Sequence, residues 1–149
     1  MNNLYKVSEV KLTYETNNKN KTKVRASTSA KMYALMLKHW EQIEYRESFK
    51  ILLLDVSKQV LGINTVSMGG ISGTVVDVRM ILQSALLANA SLIVACHNHP
   101  SGSIRPSYDD DVVTMRIREA AKIIDIKLVD HLIISKDGYY SYKDAGKMV

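Results

Sequence analysis

The stretch SLIVACHNHP, residues 91–100, constrains this chain most. SLIVAC is a short, continuous apolar run, the pattern of a central strand covered on both faces. A strand of that kind requires a layer of structure above it and another below. Side chains two apart in an extended chain point the same way, so His97 and His99 present both imidazoles to one side while Asn98 points to the other. Pro100 and Gly102 force the chain out of the strand, which leaves the histidine pair at its open end. Taken alone, a His-x-His pair reads equally as a structural feature and as half of a metal site.

The flanking segments predict the layers. LYKVSEVKLTYE alternates, NNKNK turns and TKVRA returns, an N-terminal hairpin. Thr28 or Ser29 caps a first helix with an apolar stripe of Tyr33, Leu37 and Trp40, Met36 alongside. SFKILLLDVS and QVLGINTVSMG read as two strands joined through SKQ, the second leading into the Gly-rich MGGISG. Asp77 caps a helix over VRMILQSALLANA, Ser107 opens another through about Ile124, and KLVDHLIIS, KDG and YYSY form a closing hairpin. Without repeat, low-complexity segment or linker, this order predicts one α/β domain over 1–149, a mixed sandwich of helices on a sheet, with 1–26 as an N-terminal strand or hairpin extension.

Composition narrows the chemistry. One cysteine in 149 residues excludes an intramolecular disulfide and a multi-thiolate zinc cage, so any metal must use histidine and carboxylate. Cys96, facing away from His97, is expected in the core. The net charge of +5 admits an acidic partner or nucleic acid, yet Lys19, Lys21, Lys23 and Arg25 concentrate it near a solvated turn, and no nucleic-acid-reading motif is evident. The apolar runs are too short to span a bilayer and no signal-peptide core is seen, so a cytoplasmic protein with no membrane partner is expected.

The helix after the histidines offers a candidate third ligand. Its inward face is set by Val113, Ile117, Ala120, Ala121 and Ile124, and at 100° per residue Asp110 falls nearest that stripe, Asp109 at its edge and Asp111 away from it. A carboxylate carried inward is costly unless paired or metal-bound, and two imidazoles with one carboxylate suit zinc with a fourth position open to water. The rival reading is a capping box, in which Ser107 and Asp110 satisfy the first amides of the helix; capping leaves Ser107 free to serve the site as well. A hydrolytic zinc needs a base beside its water. Glu47, in phase with Phe49, Ile51 and Leu53, is the candidate, with Glu41 and Glu44 as competitors. His131 is either a structural histidine or a hydrogen-bond partner of the ligands.

Glu47 together with HNHPSGSIRPSYDD resembles the JAMM (MPN+) metalloprotease signature: an upstream Glu, then His-x-His-Pro, seven residues, Ser, two residues and Asp. RESFKILLLD, HNHPSG, PSYDD, DHLIIS and YYSY look like the RadC family, bacterial proteins historically called DNA repair proteins, over roughly residues 27–149. The resemblance implies a JAB/MPN fold related to cytidine-deaminase-like sandwiches. It also implies one zinc ion and its water held by His97, His99 and Asp110, Glu47 as general base and Ser107 at the oxyanion, with a protein or peptide substrate. Full-length RadC proteins carry a helix-hairpin-helix region before the metal domain, for which the 26 residues preceding the matched segment here leave no room, so direct DNA contact has less support. A non-catalytic zinc-containing binding module in DNA repair or mobile-element DNA processing is the alternative, and an exposed strand edge would allow a homodimer. A zinc deaminase is excluded because its P-C-x-x-C pair needs two cysteines.

Overall fold

The computed structural model describes residues 24–70 and 74–148, with positions 8, 10, 11 and 13–15 besides. Most of the expected N-terminal hairpin lies outside the described residues. At residues 24–26, Ala26 N–H donates to Lys58 O at 3.0 Å and Val60 N–H donates to Val24 O at 2.8 Å, so this segment runs beside the start of the strand at residues 60–68.

Among the described residues, α1 (Ser29–Lys38) leads into β1 (Ser48–Leu54) and β2 (Val60–Met68). Next come α2 (Val78–Leu87), β3 (Leu92–Asn98), α3 (Tyr108–Ile123), β4 (Lys127–Ile134) and β5 (Tyr139–Ser141). The five strands form one sheet in the order β2-β1-β3-β4-β5. Its pairs are antiparallel except β3 with β4, the pair that needs a crossover, which α3 provides.

SLIVAC becomes the middle strand, and its two faces are covered by different layers. Ile93 and Ala95 meet Ile81, Ala85, Ile117 and Ala121 on the α2/α3 side. Val94 and Cys96 meet Met32, Met36 and Trp40 on the α1 side. Cys96 is fully buried there, and burial pushes its thiol well above the ordinary range. The α1 stripe differs in detail from its expectation: Met32 and Met36 are the buried apolar positions, and the helix stops at Lys38, so Trp40 joins the core from the following turn.

A buried carboxylate ties this side together. Asp130, on β4, accepts from Ser29 Oγ (2.9 Å), Ser141 Oγ (2.7 Å), its neighbour His131 N–H (2.8 Å) and Lys143 N–H (3.0 Å). Two donors per oxygen satisfy the charge without a cation.

Candidate metal centre

β3 continues two residues beyond SLIVAC, through His97 and Asn98. The alternation of the strand then puts His97 in line with Ile93 and Ala95, buried on the α2/α3 side with Phe49 flat against its ring at 5.9 Å. His99 lies just past the strand, half-buried. The loop to Pro106 folds back, with His99 Nδ1 3.0 Å from Ser103 O, and delivers the N-terminus of α3 to the same place.

α3 begins with both arms of a capping box: Ser107 Oγ accepts from Asp110 N–H, and Asp110 accepts from Ser107 N–H. The cap does not exhaust Asp110. Its Oδ2 takes Ser107 N–H and Ser107 Oγ–H, each at 2.7 Å, which leaves Oδ1 2.9 Å from His97 Nε2, while Oδ2 sits 3.4 Å from His99 Nε2. The two Nε2 atoms are 3.0 Å apart. The helical phase places Asp110, Thr114, Ile117 and Ala121 as the buried line of α3, with Val113 and Ala120 at its shoulder. Asp109 stays exposed on the cleft, and Asp111 turns away to accept from Tyr142 Oη at 2.7 Å.

The surrounding hydrogen bonds fix where the imidazole protons are. The Asp110 carbonyl can only accept, so the Thr114 hydroxyl, 2.6 Å away, donates to it. Thr114 Oγ1 must therefore accept from His131 Nδ1, 2.5 Å away. His131 is wholly buried, and burial, then the neighbouring His97, holds its pKa well below the ordinary imidazole value. It is neutral, with its lone pair on Nε2, and His97 Nδ1–H donates to it at 2.8 Å. By the same logic the Ser103 carbonyl takes the proton of His99 Nδ1. Both ligand histidines in their neutral form thus turn an unprotonated Nε2 toward Asp110.

In that neutral form the two Nε2 atoms and the Asp110 carboxylate, in contact at 2.9–3.4 Å, repel unless a proton or a metal cation lies among them. Zinc bonds of about 2.0–2.1 Å in a tetrahedron set ligand atoms roughly 3.3–3.4 Å apart; the contacts here are 2.9 Å, 3.0 Å and, to the second carboxylate oxygen, 3.4 Å, at or inside that spacing. His97, His99 and Asp110 are the one set among the described residues that meets the geometric test for holding a metal ion. Electrostatics agree: burial works against the Asp110 charge, but His97 and His99 hold its carboxyl well below the usual range, and the hydrogen bond to Asp110 raises the pKa of His99. The position draws positive charge.

The triad forms one end of a cavity of about 380 Å³ that also includes Glu47, Val75, Val76, Val112 and Val113. Burial raises the Glu47 pKa, partly offset by the adjacent His97 and His99. Its sequence competitors are elsewhere: Glu44 pairs with Lys136 at 2.8 Å, and Glu41 is exposed. Of MGGISG, residues 71–73 lie outside the described residues; the cleft wall comes from Thr74–Val76 directly after them. Thr114 was missing from the sequence expectation, although its place four residues after Asp110 on the same helical line signals it.

A mixed sheet under helices, with a His-x-His strand end facing a carboxylate on the first turn of the next helix, defines an α/β domain of the JAB type carrying a candidate metal centre. The chain belongs to the RadC-like JAB domain family, whose profile matches residues 26–147. It is 44% identical over 100 residues to a UPF0758 protein of Flavobacterium johnsoniae, covering 67% of this chain and 44% of that protein. Identity to a UPF0758 protein of Thermotoga maritima is 35% over 126 residues, 83% of this chain and 55% of that one. A third, from Porphyromonas gingivalis, is 43% identical over 102 residues, 68% and 45% of the two chains. The chain spans about half the length of the curated relatives it matches. None of the helices among the described residues is long and apolar enough to cross a membrane.

Proposed function

We propose that this chain is a zinc-dependent hydrolase of the JAMM type that cleaves peptide or isopeptide bonds in a protein or peptide substrate. The observation that carries the reading is the convergence of two unprotonated imidazole nitrogens and a carboxylate oxygen at one end of a cleft that also holds a half-buried glutamate. Bound zinc supplies a Lewis acid that brings the pKa of a water to roughly 7 and polarises a carbonyl. His97 and His99 would hold it through Nε2 and Asp110 through its carboxylate, a nitrogen and oxygen donor set that suits zinc.

The remaining steps belong to the side chains of the cleft. Glu47 takes the proton from the attacking water as the bond to the carbonyl carbon forms, and returns it to the leaving nitrogen as the amide bond breaks. Ser107 Oγ–H, which donates to Asp110 at 2.7 Å, stands beside the ligands where its hydroxyl turns toward the developing oxyanion. Val75, Val76, Val112 and Val113 give the cleft an apolar wall, beside which Asp109 and Arg116 add charge of both signs.

The test compares wild type with Glu47→Gln on a panel of peptides and ubiquitin-like isopeptides, with zinc measured on the same samples. The expected result is unchanged zinc and a loss of rate of about 10²–10⁴-fold. Zinc-loaded protein equally active in both forms would overturn Glu47 as the base, and protein inert in both would overturn the hydrolase and favour a zinc-containing binding module acting in DNA processing. Wild type that takes up no zinc would overturn both.

A further inference from the structure

Asn98 sits between the two histidines and takes no part in the donor set, yet it is fully buried and its amide is committed. Its Oδ1 accepts from Ser48 N–H at 2.8 Å, and its Nδ2 donates to Ile43 O at 2.6 Å and to Arg46 O at 3.0 Å. All three partners are main-chain groups of the segment that carries Glu47. That segment is irregular between α1 and β1, with Gln42 at φ 53°; turn bonds run from Tyr45 and Arg46 N–H to Gln42 O, and the pairing of β1 with β2 begins only at Ser48, opposite Met68. Glu47 itself is tied at one further point, its carbonyl accepting from Gly69 N–H at 2.8 Å.

We infer that Asn98 is a positioning residue, which locks the backbone on both sides of Glu47 to the strand end that presents the two histidines. This rests on the reading of Glu47 as the general base. Strand alternation sends His97 and Asn98 to opposite faces, so one short motif sets the ligands on the cleft side and anchors the base from behind the sheet. The residue type follows from the partners. Two carbonyls need donors and one N–H needs an acceptor, a combination that a carboxamide offers and a carboxylate or an aliphatic chain does not. A carboxylate would face two carbonyl oxygens, and a leucine would leave all three groups unsatisfied.

The experiment uses Asn98→Leu and Asn98→Asp in the full chain, with three readouts: zinc affinity by chelator competition, hydrogen exchange of the amides, and kcat and KM on the best peptide of the panel above. In Asn98→Leu, exchange at Ser48 should rise about tenfold while the amides of β3 and β4 stay protected. Zinc affinity should move by less than the roughly 10-fold that marks loss of a ligand's own partner. Loss of the base's aim should lower kcat about 10²-fold with KM unchanged. Asn98→Asp, which keeps the acceptor, should preserve Ser48 protection better than Asn98→Leu and still lose kcat. If Asn98→Leu does not fold, the aspartate variant carries the comparison through residues 43–46.

Unchanged exchange at residues 43–48 would overturn the inference. So would a loss of protection spread over β3 and β4, or a change confined to KM, since these mark a packing role or a substrate contact. A zinc-loaded wild type that hydrolyses nothing would overturn the proposed hydrolase and with it the base that Asn98 positions, whereas an active wild type with indifferent Asn98 variants would overturn the positioning role alone.

Discussion

Among the described residues two carboxylates are buried, Asp130 and Asp110, and they are resolved in opposite ways. Asp130 receives four hydrogen bonds from two hydroxyls and two amides. Asp110 receives comparable support on Oδ2 only, and its Oδ1 faces an imidazole nitrogen with no proton to offer. The first is a finished structural knot joining α1, β4 and β5. The second is left with a place for a cation. The contrast shows that burial of an acidic residue says little about function until its donors are counted oxygen by oxygen.

Substitution at the two positions should separate these roles, with the largest effect at the knot. Asp130→Ala leaves several buried donors unsatisfied and should cost about 3–5 kcal/mol, the range for breaking a buried charged network, in a urea titration of the metal-free protein. Asp110→Asn keeps the shape and the cap, so the metal-free fold should survive, while zinc affinity falls by more than the about 100-fold that even outer partners can cost. Equal loss of stability in both variants would erase the distinction.

A smaller effect sharpens the proton assignment. Thr114→Val removes the hydroxyl that takes the His131 proton, and with it the constraint that keeps His97 Nε2 bare, so zinc affinity should fall about 10-fold. Thr114→Ser should restore it. An identical affinity in Thr114→Val would mean that the His97 tautomer is set without this chain.

The smallest effect is in the pH dependence of the metal-free protein. His131 has a folded pKa depressed below its ordinary 6.5, so its contribution is complete above that value and is lost as pH falls beneath it. His99, whose folded pKa is raised, works the other way: its contribution is complete below 6.5 and disappears as pH rises through the folded value. The thermal midpoint should therefore decline toward pH 5 as His131 resists protonation, and fall slightly as pH rises above 6.5 and His99 loses its proton. His131→Gln, which stays uncharged, should flatten that decline; an unchanged slope would remove His131 as its cause.

Much of this was legible in the chain itself. The unbroken apolar run of SLIVAC required two covering layers, because neither face of such a strand tolerates water. The period of α3 aimed Asp110 inward and Asp111 outward, because 100° per residue leaves little freedom in where successive side chains point. Ser107 read as a cap for local reasons, since its partner is three residues away. The phase of β1 brought Glu47 to one face but could not separate it from Glu41 and Glu44, whose positions depend on an irregular turn. What the tertiary structure alone decided came from pairing between segments distant in sequence: Asn98 against residues 43–48, Thr114 against His131, and His131 against His97. Sequence periodicity reports which way a side chain faces within its own element. Whether that side chain finds a donor, an acceptor or a bare lone pair is decided by elements brought together only when the sheet closes, and at this site that distinction separates a buried knot from a place for a metal ion.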